Sequence, residues 1–229
     1  MAGSSKYRHE LKYHCGEIQL NAIQNRLRPI MSLDRHAEDG QYTIRSMYFD
    51  SYDNRCYFEN ESGTDPREKF RIRIYNASNS RISLECKRKE RGKTLKTSCL
   101  ITEKQYEEIM CGGSISNLRE QPEVMRKFSI LMKTQGFAPA VIVEYERIPF
   151  VYTIGNVRIT LDRNIRSSKD FDAFFQPNIQ TRPILPAGQH LLEVKYDELL
   201  PDHIKSVLQL GNLQQTTFSK FYLCKRFSF

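Results

Sequence analysis

The stretch Lys69-Phe70-Arg71-Ile72-Arg73-Ile74-Tyr75 decides how the rest of this sequence folds. Its period is two: Phe70, Ile72 and Ile74 fall on one side of an extended chain, Arg71, Arg73 and Tyr75 on the other. An apolar face against a core and a polar face in water is the ordinary meaning of such a strip. The alternation returns in Arg8-x-Glu10-x-Lys12, Glu85-x-Lys87-x-Lys89, Arg158-x-Thr160-x-Asp162 and Glu193-x-Lys195. Water accepts almost any polar residue, so a merely solvated face would mix in Ser, Thr, Gln and Asn. Glu with Lys or Arg, repeated two apart on separate strands, indicates faces that converge on a polyanion.

Composition sets the bounds. At 229 residues there is room for one large β domain or two small ones, and 13 Phe and 12 Tyr supply core material without any Trp. The 35 basic residues exceed the 27 acidic ones, for a formal charge of +8. That excess favours an anionic partner without choosing among phosphate compound, nucleic acid and membrane surface. The six cysteines are widely spaced, with no C-x-x-C, and the five histidines add no zinc spacing. Free thiols of a reducing cytosol are the expectation. Met1 to Lys6 lacks a signal-peptide apolar run, and no window approaches the roughly 20 apolar residues of a membrane span. A soluble, cytoplasmic protein with no membrane segment is expected.

Along the chain, Tyr7–Tyr13 is predicted as a strand, followed after Gly16 by an amphipathic helix ending near Pro29. Gln41–Asp50 is a strand and Asp53–Glu61 a short helix. Glu68–Tyr75, Arg81–Lys89 and Thr94–Ile101 follow as hairpin strands around Asn76–Asn79 and Arg91-Gly92-Lys93. Thr102 caps a helix over Glu103–Met110, Gly112-Gly113 is a turn, and a second helix spans Glu123–Gln135 and stops at Gly136. Ala140–Arg147, Phe150–Ile154, Val157–Asp162 and His190–Tyr196 complete the strands. Pro201–Leu210 and Thr216–Lys225 are terminal helices. With no repeat or linker, residues 1–229 are expected to form a single domain.

About eight hairpin-linked strands predict an α+β fold, an antiparallel eight-stranded β tunnel barrel with helices packed outside. The helices need apolar surface to cover, which leaves the charged faces inside. Nine cations point inward on this parity: Lys12, Arg71, Arg73, Lys87, Lys96, Arg147, Arg158, Lys195 and Lys220. Four carboxylates accompany them: Glu10, Glu85, Asp162 and Glu193. Unpaired cations in a dry core would cost several kcal/mol each, so the interior is expected to be wet and to hold anions. A triphosphate carries about four negative charges, and Lys and Arg match its oxygens. Carboxylates would repel it unless they held a divalent metal that bridges to phosphate. Glu10 and Glu85 have a second reading, as partners that orient Lys and Arg. Glu144 and Glu146 have the opposite parity and are expected to face outward. Lys87–Arg91 is read in part as a solvated hairpin end.

These elements resemble a known family. Arg8-x-Glu10-x-Lys12-Tyr13, Tyr48-Phe49-Asp50, Lys69-x-Arg71-x-Arg73-x-Tyr75 and Glu85-x-Lys87 come in the order seen in VTC-type polyphosphate polymerase domains. Tyr145-x-Arg147, Arg158-Ile159-x-Leu161-Asp162, Glu193-x-Lys195 and Ser219-Lys220-Phe221 continue that order to the end of the sequence. Those domains belong to the triphosphate tunnel metalloenzymes, relatives of the CYTH phosphohydrolases. The resemblance implies a tunnel that transfers the γ-phosphoryl of ATP to a growing polyphosphate chain, with Mn²⁺ or Mg²⁺. It implies catalytic roles for Arg71, Arg73, Lys87, Arg147, Arg158 and Lys220. Lys12, Lys195, Ser219, Tyr48 and, on a looser match, Lys96 would bind substrate. Glu193 would ligate the metal, with Glu10 and Glu85 as further candidates. One departure is Thr217, where the eukaryotic polymerases carry another Lys.

Two other functions fit the same residues. Hydrolysis of tripolyphosphate or a nucleoside triphosphate uses the same tunnel with water as nucleophile. A non-catalytic module for polyphosphate or RNA would also exploit the positive charge. Readers of single strands interleave exposed aromatics with basic residues, whereas here carboxylates recur beside the cations, so no nucleic acid is expected.

Overall fold

The computed structural model describes residues 7–37, 39–112, 115–209 and 213–227. Its strands are β1 (His9–Gly16), β2 (Ser32–Leu33), β3 (Tyr42–Asp50), β4 (Arg67–Tyr75) and β5 (Ser78–Glu90). β6 (Lys93–Ile101), β7 (Ala138–Tyr152), β8 (Val157–Ser168), β9 (Arg182–Pro183) and β10 (Gln189–Tyr196) follow. The α-helices are α1 (Glu17–Leu27), α2 (Arg55–Glu61), α3 (Glu103–Met110), α4 (Glu123–Gln135), α5 (Asp202–Leu208) and α6 (Lys220–Arg226). Eight strands curl into one antiparallel sheet in the order β1-β10-β8-β7-β3-β4-β5-β6, with the two-residue β2 and β9 added beside β7 and β8. Its two ends meet where Arg8 and Thr94 exchange both backbone hydrogen bonds at 3.0 Å. This is the α+β tunnel fold that the alternation predicts.

The local signals act as their chemistry requires. β4 turns into β5 through Asn76 and Ala77 at φ +50° and +53°, and β5 into β6 through Arg91 and Gly92 at +49° and +75°. The Thr102 side chain accepts from the Gln105 backbone N–H at 3.2 Å to start α3. Phe70, Ile72 and Ile74 of β4 pack with Phe49 of β3 beneath Met125 and Phe128 of α4. A second cluster sets Leu20, Ile23 and Leu27 of α1 and Ile204 of α5 over Ile159, Leu161, Leu192 and Val194. Each such side chain contributes about 1.5–3 kcal/mol when fully buried, so the apolar faces go under helices and the charged faces line the concave side.

Four details differ from the sequence expectations. Ala140–Arg147 and Phe150–Ile154 are one 15-residue strand, β7, because Pro149 lies where β2 replaces β3 as neighbour. Thr216–Ser219 is extended, held by Thr216 N–H to Lys12 C=O at 2.8 Å, and α6 starts only where Ser219 Oγ accepts from Tyr222 N–H. α6 also lies on the concave face, with Phe221 against Tyr48 at a ring separation of 5.2 Å and Lys220 Nζ 2.6 Å from Asp162. Glu144 has the expected parity, yet the loop after β8 buries it. Arg45, 1% exposed, donates to Glu144 at 2.6 Å and to the Phe174 and Gln176 carbonyls at 2.8 and 2.7 Å. Met1–Lys6, Gly113 and Leu210, to which expectations were attached, lie outside the described residues.

Candidate functional site

The charged faces of β1, β4, β5, β7 and β10, with α6, enclose a cavity of about 730 Å³. Antiparallel register explains why Glu-x-Lys recurs: it sets opposite charges across from each other. Lys12 faces Glu193 and Glu10 faces Lys195 between β1 and β10; Arg147 faces Asp162 between β7 and β8; Arg71 faces Glu85 between β4 and β5. Each carboxylate then gathers more than one cation. Glu10 meets Lys87 at 2.7 Å and Lys12 at 3.5 Å. Glu193 meets Lys195 at 2.8 Å, Arg147 at 3.3 Å and Lys12 at 3.4 Å. Asp162, fully buried, accepts two bonds from Arg147 at 2.7 Å and lies 2.6 Å from Lys220.

Burial alone would raise these carboxyl groups. The surrounding cations outweigh it: Lys87 and Lys12 hold Glu10 well below the usual carboxylate range, and Lys195, Lys220 and Lys12 do so for Glu193. The lysines divide. Burial lowers Lys12 and Lys220, but their carboxylate neighbours reverse the sign and raise both. For Lys195 burial prevails over Glu193 and Glu10, and its pKa falls to about 8. Burial also prevails at Lys87, and Lys69 is pushed well down by burial and by Lys87 and Arg67. Burial would raise the Tyr48 hydroxyl; Arg71, which donates to it at 2.7 Å, and Arg73 turn the shift downward.

Of the residues selected from sequence, Glu10, Lys12, Tyr48, Arg71, Arg73, Lys87, Arg147, Glu193, Lys195, Ser219 and Lys220 line the cavity. Three do not. Arg158 is drawn to Asp34 at 2.7 Å and to the Tyr42 hydroxyl at 2.9 Å, outside the lining. Glu85 lies outside the lining and pairs with Arg71 at 2.6 Å, Lys96 at 3.2 Å and Arg73 at 3.7 Å, contacts that match its reading as an orienting partner. Lys96 is half exposed beside it. Arg67, Lys69 and Lys89 also line the cavity; the sequence reading set Lys69 and Lys89 in the alternation without giving them a site role, and did not single out Arg67. The signal was there, since they continue the two-residue parity of Arg71 on β4 and Lys87 on β5; Lys89 is tunnel wall rather than solvated hairpin.

Among the described residues, no three His, Cys, Asp or Glu side chains group as a metal cage, and no helix is long and apolar enough to cross a membrane. Glu10 and Glu193, both ionised on the cavity wall and sharing Lys12 and Lys195, are a two-carboxylate oxygen donor set. Such a set fits a small hard cation that takes its remaining ligands from water and phosphate oxygen.

An antiparallel barrel with cations and ionised carboxylates lining its bore is the architecture expected of the triphosphate tunnel class, and solved structures share the fold. A candidate adenylyl cyclase from Hippeastrum, described as having a dominant triphosphatase activity, superposes with a TM-score of 0.59 at 15% identity, over 96% of this chain and 95% of that one. A candidate adenylate cyclase from Bacillus halodurans gives 0.53 at 14% identity, over 90% and 87%. One from Vibrio parahaemolyticus gives 0.53 at 11%, over 96% and 98%. No curated protein matches. Within the class, residues 7–228 match the VTC domain, and the chain belongs to that family.

Proposed function

We propose that the chain is a metal-dependent phosphotransferase that moves the γ-phosphoryl group of ATP onto a growing polyphosphate chain. The observation that carries this reading is the cavity wall itself, where cations from five strands surround two ionised carboxylates. Phosphoryl transfer asks the protein for alignment and charge neutralisation more than for covalent chemistry. Arg71 and Arg73, braced by Glu85, present planar donors from one wall to phosphate oxygens. Arg147 of β7 and Lys220 of α6, fixed by Asp162, add further donors. Lys12, Lys87 and Lys195 supply positive charge between them, and donor and acceptor phosphates align in the gap. Glu193 and Glu10 would hold Mg²⁺ or Mn²⁺, which when bound neutralises charge on the transferring phosphates.

The second reading is hydrolysis of tripolyphosphate or a nucleoside triphosphate, favoured by Thr217 standing where the eukaryotic polymerases carry Lys. Incubation with ATP and Mn²⁺, with products resolved on a gel, separates the two. Long chains are expected; free phosphate without chains makes the protein a hydrolase. Binding of polyphosphate with neither product reduces it to a polyanion-binding module.

A further inference from the structure

The cavity is not uniformly compensated. Toward the end where Arg8 and Thr94 fasten the barrel, the register of β4 and β5 sets Lys69 opposite Lys87 and Arg67 opposite Lys89. Like charges directly across a ladder are destabilising, and here two such rungs follow one another. Among the described residues, Arg67, Lys69 and Lys89 have no carboxylate within 4.0 Å, in contrast to every other cation named on the cavity wall. Lys69 is held instead by neutral acceptors, Asn60 Oδ1 of α2 and Ser219 Oγ at 3.1 Å, with its Nζ 4.9 Å from the Phe221 ring centre. An ammonium has three donors, and these acceptors occupy two. Arg67 spends one N–H on the Thr64 carbonyl at 2.7 Å.

We propose that Arg67, Lys69 and Lys89 form a second phosphate subsite at this mouth, which holds the phosphates of a linear chain that extends beyond the three gripped further in. The inference rests on the tunnel reading and deepens it, since it makes the ligand a polyanion longer than a triphosphate and fixes the end at which the extra length lies. From Arg73 to Arg67 the inward cations of β4 cover seven residues, six steps or about 20 Å of strand, more than a triphosphate spans. A phosphate at the mouth would supply the counter-charge that Arg67, Lys69 and Lys89 lack, and a third acceptor for Lys69. The groups that act most strongly on Lys69 are Lys87 on β5, Arg67 on its own strand, Lys12 on β1 and Cys56 on α2; Glu61 of α2 also lines the cavity, where it accepts from the Tyr222 hydroxyl at 3.0 Å and forms no ion pair with Lys69.

Calorimetric titration of the full chain with tripolyphosphate, and with a defined-length polyphosphate at least twice as long, tests this. Lys69→Met is expected to weaken the longer chain about tenfold, the scale of one charge-assisted hydrogen bond, and tripolyphosphate less than threefold. Lys69→Arg restores the longer chain, and an Arg67→Met/Lys89→Met double variant repeats the split. Unchanged thermal melting of each variant shows that the fold is retained. If Lys69→Met weakens both ligands equally, or neither, the mouth subsite falls while the tunnel reading stands. If the unaltered protein binds neither ligand, the tunnel reading falls and takes the inference with it.

Discussion

Arg71 and Lys69 stand two residues apart on one face of β4, yet they meet opposite conditions. Arg71 gives two hydrogen bonds to Glu85, at 2.6 and 2.8 Å, and a third to the Tyr48 hydroxyl. Lys69 faces another lysine across the ladder and has only an amide and a hydroxyl oxygen for company. The same contrast runs through the cavity: cations deep in the tunnel are set against Glu10, Glu85, Asp162 and Glu193, and those at the mouth are not. A compensated cation is held in one geometry and helps hold the barrel together, which suits chemistry that depends on placement. An uncompensated one contributes repulsion until an anion arrives, which suits capture.

The comparison breaks first, and most visibly, at Glu193. Glu193→Gln keeps size and hydrogen bonding but removes the charge proposed to hold the metal. Metal-dependent turnover is expected to fall about a hundredfold or more, while tripolyphosphate binding survives or tightens because a negative group has left the cavity. Near-normal turnover would remove Glu193 from the metal site. Stability gives the next contrast. Asp162→Asn strips the fully buried partner of Arg147 and Lys220 and is expected to cost about 3–5 kcal/mol in denaturant unfolding. Lys69→Met removes a cation from a like-charged rung and should stay within about 0.5 kcal/mol or stabilise. Equal losses for the two would erase the distinction between regions.

The smallest effect is a pH signature of Lys195. Unfolded, its amine keeps the proton to the ordinary value of 10.5; folded, burial lowers that to about 8. Between these values the unfolded state binds more protons, so stability rises with pH across that window. Thermal melting from pH 7 to 10.5 is expected to show this rise, reduced in Lys195→Met. Identical profiles would mean that Lys195 is better compensated than its surroundings indicate.

Much of this was legible in sequence because it depends on parity. Arg71 and Arg73, Glu10 and Lys12, Glu193 and Lys195 needed only a period of two to be placed on the inner wall. What was not legible depends on partners distant in the chain. Asp34 takes Arg158 out of the lining from 124 positions away, and the Phe174–Gln176 loop buries Arg45 with Glu144. Whether Glu85 binds a metal or orients Arg71 cannot be read from Glu-x-Lys, since both functions use the same alternation; only the folded chain shows Arg71, Arg73 and Lys96 gathered around it. Sequence reading put Lys220 on the inner wall but its helix outside; α6 itself lies on the concave side, with Lys220 at Asp162 and Phe221 against Tyr48, partners distant in the chain.

The rung between Arg8 and Thr94 makes the barrel a bracelet with a clasp rather than a seamless pipe. Neighbouring strands such as β1 and β10 share eight register pairs; among the described residues, the Arg8 end of β1 and β6 are joined by two backbone hydrogen bonds, each worth about 0.5–1.5 kcal/mol net. The clasp adjoins the mouth, since Thr94 is also the register partner of Lys89. The circumference there is set by the weakest seam in the ring, so the opening is the part of the wall most easily resized. Amide exchange at Arg8 and Thr94 should accordingly run faster than at the centre of β4, and slow when a long anion bridges the gap.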